Sequence, residues 1–179
     1  MSTPHRRPSR PPRYSNRPLP RYRHLPGRTP HPERDPAGHS FGLREAVPEG
    51  WSAEGWRQNE LYLYGVDLFN LGYWWEAHAA WEALWQTSGR SEPTGRFLQG
   101  LIQMAAALVQ HRAGQPQGAR RLAGKGLDKL RKLAQELEEA GGLPVLYMGV
   151  DVDGFATASE RFFESEPQGM VAPPFLVLD

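Results

Sequence analysis

The stretch YWWEAHAAWEALWQ, Tyr73 to Gln86, sets His78 and Glu82 four residues apart among four of the chain's six tryptophans. On a helix that spacing brings an imidazole and a carboxylate one turn apart on one face, where they can hydrogen-bond, exchange a proton or share a cation. In helical projection Trp74, Trp75, His78, Trp81, Glu82 and Trp85 lie on one side, while Glu76, Ala79, Ala83 and Gln86 fall opposite. The aromatic side is therefore expected to be buried and the other to form a solvent strip.

A buried ionisable pair needs partners, because an unpaired charge in an apolar interior is costly. The later run RFLQGLIQMAAALVQHR supplies a polar stripe of Arg96, Gln99, Gln103 and Gln110. If that stripe faces His78 and Glu82, Gln99 and Gln103 meet them in a polar pocket roofed by Trp81 and Trp85. A divalent transition metal bound there would require a further protein ligand, for which His111 is the first candidate and Asp67 the second. The chain has no cysteine, so only nitrogen and oxygen donors are on offer, and disulfides and thiol nucleophiles are excluded. A pair that only fixes helix packing accounts for the same residues, as does a site for a small ligand.

The elements that position these residues follow from apolar periodicity and breakers. The pattern predicts helices from about Ser52 to Leu71, Tyr73 to Gln86, Pro93 to Arg112, Pro116 to Ala140, and from a cap at Asp151 or Asp153 to Glu164. Gly72, Gly114 and the Gly141–Gly142 pair stop three of them, and the tail APPFLVLD is expected to pack as an extended segment. No stretch alternates with period two for long enough to build a sheet. The fold class predicted is all-α, a compact bundle of about five helices made of antiparallel helical hairpins over residues 46–179. A faint echo between LFNLGYWWEAHAAWEALW and LVQHRAGQPQGARRLAGKGL resembles the turn of a tetratricopeptide hairpin, but two copies do not make a solenoid.

The blocks FNLGYWWEAHAAWEALW and RFLQGLIQMAAALVQHRAGQPQGARRL resemble the prokaryotic domain of unknown function 309 family over roughly Leu61 to Leu130. Its hallmark, His-x-x-x-Glu-x-x-Trp or Tyr, falls on His78, Glu82 and Trp85. The resemblance implies a compact helical bundle and a functional motif suggested to bind metal, with no activity attached. Members usually carry a second glutamate directly after the histidine, where this chain has Ala79.

Residues 1–39 hold nine arginines and ten prolines against two acids, a net charge of +7, in a chain whose total is +1. Such a segment has too little apolar surface to offset its ordering entropy, so residues 1–45 are expected to form a disordered basic arm and linker that adds nothing to the core. Arg6, Arg7, Arg10, Arg13, Arg17, Arg21 and Arg23, with Tyr14 and Tyr22 among them, suit phosphate contacts and base stacking on a nucleic acid, or the tethering of a protein partner. No apolar run approaches the roughly 20 residues of a membrane span, and a cytoplasmic chain is expected. Phosphate-loop, nucleophile-elbow and His-Glu-x-x-His patterns are absent, and DVDG at Asp151 lacks the remaining acids of a calcium loop. Enzymatic activity is thus unsupported by any motif. What remains is a pocket protein binding an ion or small ligand, a helical-hairpin interaction module with a structural His-Glu pair, or an RNA-associated accessory protein using its arm.

Overall fold

The computed structural model describes residues 11–89, 91–141, 146–165 and 171–179. Five α-helices follow in order: α1 Glu60–Asn70, α2 Trp74–Thr87, α3 Pro93–Arg112, α4 Pro116–Glu139 and α5 Val152–Glu164. Each packs on its sequence neighbours, α1 on α2, α2 on α3, α3 on α4 and α4 on α5, so the bundle is the predicted succession of antiparallel hairpins. Between α4 and α5 a two-residue hairpin, β1 Leu146–Tyr147 with β2 Val150–Asp151, was not anticipated from periodicity, being too short to show any. Asp151 then caps α5 by accepting from the Gly154 amide at 2.9 Å.

α1 starts later than expected. Residues 56–58 form a single 3-10 turn, and Asn59, not Ser52, caps the helix by accepting from the Tyr62 amide at 3.0 Å. From Leu61 to Asn70 every residue of α1 is buried, which matches a sequence apolar on all sides and makes α1 the central element of the molecule. Its Gly65 lies against the Trp81 indole, so the α1–α2 crossing is close; Gly100 and Gly126 do the same for α3 and α4.

α2 and α3 account for only part of the surface that covers α1. The rest comes from Trp56, the turn at Met148, Phe155 of α5 and the two terminal segments. Residues 171–179 run as an extended tail in which Leu176 is buried and Leu178 bridges Val150. Residues 11–44 carry neither helix nor strand, as their composition predicts, yet they lie on the bundle as a strap. The expected free arm is corrected for this part: Ser15 and His24 are buried, and Tyr14 packs against the core. Residues 1–10, with Arg6, Arg7 and Arg10, lie outside the described residues. Among the described residues no helix is long and apolar enough to cross a membrane.

Candidate functional site

Three polar side chains sit deep in the α1–α2 hairpin, and all three grip backbone. Asp67, wholly buried, accepts from the Tyr14 amide through Oδ1 at 2.7 Å. Its Oδ2 accepts from the Ser15 amide at 2.9 Å, the Ser15 hydroxyl at 2.6 Å and Arg13 Nε at 2.9 Å. Asn70, one turn on, holds the C-terminal tail at two points: its amide donates to the Leu176 carbonyl and its oxygen accepts from the Leu176 amide, both at 2.7 Å. Glu76, 5% exposed, accepts from the His24 amide at 2.7 Å and bonds His39 Nε2 at 3.0 Å, all on Oε1. Glu76 Oε2 is buried without a partner among the described residues.

Apart from Glu76 Oε2, these buried acceptors are stable where they are because each meets donors on the strap or tail. The first part of the strap, residues 11–24, is kept extended by its prolines and presents free N–H groups at Tyr14, Ser15 and His24, whereas residues 25–43 fold into turns that bond internally. Contacts along its length fix its course. Tyr64 donates to the Pro18 carbonyl at 2.9 Å, the Arg17 guanidinium lies 4.3 Å from the Tyr64 ring centroid, and Arg17 pairs with Glu45 at 2.9 Å. Farther on, His24 and His31 both set their rings against Trp75. The strap and tail also meet each other, the Leu178 amide donating to the Tyr14 hydroxyl at 3.0 Å.

The aromatic face of α2 is consequently turned from its expected direction. Its buried residues are Trp74, Glu76, Ala77, Ala80, Trp81 and Leu84, so Glu76 belongs to the interior and not to a solvent strip. The displacement comes from the strap, which covers a side that sequence periodicity counts as open. His78 and Glu82 lie at the rim, with side chains 30% and 44% exposed and Nδ1 to Oε2 at 3.8 Å, longer than a hydrogen bond. A pair this wet contributes about 0–1 kcal/mol. Trp81 is fully buried and Trp85 half-buried on the core.

The polar stripe of α3 faces α4, not α2. Arg96 pairs with Glu136 at 2.6 Å, Gln103 lies beside Gly126, and Gln110 beside Gly118. Gln99 is half-buried on the same helix. No roof of amides over His78 and Glu82 is built by Gln103, because its helix face is committed elsewhere. The proposed ligand set also fails to gather. Asp67 is saturated by the strap, His111 packs its ring edge-on to Phe162 of α5 at 5.0 Å, and among the described residues no three histidines or acids are placed to hold a metal. The arm arginines divide similarly: Arg13 and Arg17 are spent on Asp67 and Glu45, Arg23 lies over the Tyr73 ring at 5.0 Å, and Arg21 is exposed.

Residues 62–122 match the family of domains of unknown function 309, DUF309. The segment is a DUF309 domain. No curated protein matches the chain. The boundaries of the DUF309 segment are informative: Asp67, Asn70, Glu76, His78 and Glu82 all fall within it, whereas the strap and the tail that the first three grip lie outside.

Sequence reasoning named Asp67 only as a reserve metal ligand, missed Asn70, and misplaced Glu76. A usable signal existed: Asp67 and Asn70 are polar interruptions in ELYLYGVDLFN, a helix otherwise apolar all round. Such a helix has no solvent face to which they could be assigned, so each had to have a buried partner.

Burial lowers the pKa of His24, against an upward pull from Glu76 and with further lowering from His31 and His39. Burial likewise lowers His78, opposed by Glu82 and Glu33. The folded protein then binds fewer protons than the unfolded chain below the ordinary histidine range, so stability is lost as the pH falls from about 6.5 toward the depressed folded values. Urea unfolding at a series of pH values between about 7.5 and 5 checks this, with both His24→Gln and His78→Gln expected to flatten the acid limb.

Proposed function

We propose that this chain is a helical-hairpin docking module, in which the DUF309 domain holds extended chain segments against α1 and the start of α2. Asp67, Asn70 and Glu76 read the backbone of whatever lies there, and neighbouring aromatics such as Tyr64 and Trp75 select proline- and arginine-bearing segments. The observation that carries this reading is the saturation of Asp67 by four donors from three successive strap residues. Main-chain capture of this kind is the usual way an extended peptide gains affinity, with side-chain contacts adding choice. In the isolated chain the occupants are its own two termini. A segment of similar character on a partner, or on a second copy by exchange, fits the same surface.

Complementation tests it. A chain lacking residues 1–28 is expected to melt lower than the parent, and a synthetic peptide of residues 11–28 should restore the loss in a saturable way. Asp67→Ala in the shortened chain should abolish that recovery. A shortened chain as stable as the parent and indifferent to the peptide would count against docking.

A further inference from the structure

At the α1–α2 turn, the strap, the tail and the end of α3 enclose an open cleft of about 350 Å³. This is at the lower end of small-molecule pockets, which run roughly 300–1,000 Å³. Pro11, Pro173 and Pro174 form apolar walls, Gly72 forms part of the floor, and Arg23 and Arg112 both line it. The two guanidiniums are held from behind. Arg112 stacks 3.8 Å from the Trp74 ring centroid and donates through Nη1 to the Gly72 carbonyl at 2.8 Å, while Arg23 lies over the adjacent Tyr73 ring. They flank Gly72 so closely that a Cβ on it would stand 3.0 Å from Arg112 Nη2 and 3.7 Å from Arg23 Nε.

Neither arginine has an acid within ion-pair distance among the described residues. The acid whose charge acts on Arg112 is Glu76, whose Oε1 is bonded to the strap. Burial and the charge of Arg23 both push down the Arg112 guanidinium, as expected for like charges converging in a partly desolvated cleft. Helix α2 begins at Trp74 without a side-chain cap, and Glu76 in its first turn offsets part of the positive end there. Two stacked guanidiniums, facing only the more distant charge of Glu76 and with no direct ion pair among the described residues, form an arrangement that lowers its energy by taking up an anion.

We propose that this cleft binds a small phosphoryl-bearing ligand, either inorganic phosphate or a phosphate monoester, with Arg23 and Arg112 as its paired donors. A phosphate monoester carries about −1.5 to −2 charges near neutral pH, which balances two guanidiniums better than one carboxylate does. Among the described residues a nucleic acid fits less well, because Arg13 and Arg17 face protein acids. The inference rests on the docked strap, which supplies Pro11 and Arg23.

Calorimetric titration of the full chain with inorganic phosphate, glycerol phosphate and malonate tests it. Both phosphoryl probes should bind one saturable site, and the tighter of the two identifies whether the free ion or the ester is preferred. Arg23→Gln and Arg112→Gln should each weaken binding about tenfold or more, the loss expected for one charge-assisted contact. Among the described residues Arg23 makes no hydrogen bond to the bundle, so its variant remains decisive if loss of the Arg112–Gly72 contact unfolds the other. Absence of saturable phosphate binding, equal binding of malonate, or binding undiminished in Arg23→Gln would overturn the proposal. Failure of phosphate binding with the Tyr14 and Ser15 amides still protected from exchange would remove the anion site and leave docking standing.

Discussion

Asp67→Ala is expected to destabilise the protein by about 3 kcal/mol or more, since it strands the Tyr14 and Ser15 amides and the Ser15 hydroxyl at roughly 1–3 kcal/mol each. Arg13 adds little to that cost, because its side chain is one-third exposed and can turn to water. The loss has a ceiling. Once it exceeds the docking energy of the strap, the segment detaches and its donors are solvated. Equilibrium denaturation of the variant gives the size of the loss, and tryptic cleavage after Arg13 reports detachment. Asp67→Asn preserves volume but turns one acceptor into a donor facing donors, so it should be no milder than a partial repair. An Asp67→Ala chain as stable and as resistant as the parent would mean that the buried carboxylate holds nothing.

A second large effect is expected at Gly65. A Cβ there would overlap the Trp81 Nε1 and lie 2.7 Å from its Cδ1 and Cε2, and Trp81 has no room to retreat. The indole is fully buried, set 5.7 Å from the Phe69 ring and bonded through Nε1 to the Tyr62 carbonyl. Alanine for glycine in a helix gains about 1 kcal/mol of propensity, while overpacking a tight core costs about 1–3 kcal/mol and occasionally more. With contact this close the clash should win, and Gly65→Ala should unfold at lower urea concentration than the parent. Trimming the indole in Gly65→Ala/Trp81→Phe should recover part of the loss, which separates a steric cause from a backbone one.

The helices themselves were legible because their signals are local. Pro93 and Pro116 at first turns, Gly72 and Gly114 at stops, and Asp151 as a cap all act within a few residues of where they stand. Which face of α2 is inside was not local, since the strap that buries Glu76 arrives from about 50 residues upstream. Composition correctly denies residues 11–44 a helix or strand, but low apolar content does not decide between a free segment and one docked through its backbone. Docking here needs little apolar area, because the bundle supplies buried acceptors to N–H groups that an extended proline-rich segment cannot satisfy internally. The His78–Glu82 spacing is chemically suggestive, yet at the rim Glu82 stays exposed, His78 is only partly covered and the two stand 3.8 Å apart, while the α3 stripe turns to Glu136 and the glycines of α4.

Backbone amide hydrogen exchange in the full-length protein tests the docking of the strap most directly. The amides of Tyr14, Ser15 and His24 are expected to exchange far more slowly than those of an unstructured chain, and to lose that protection in Asp67→Ala for the first two. Exchange of all three at the rate of a free peptide would contradict the account.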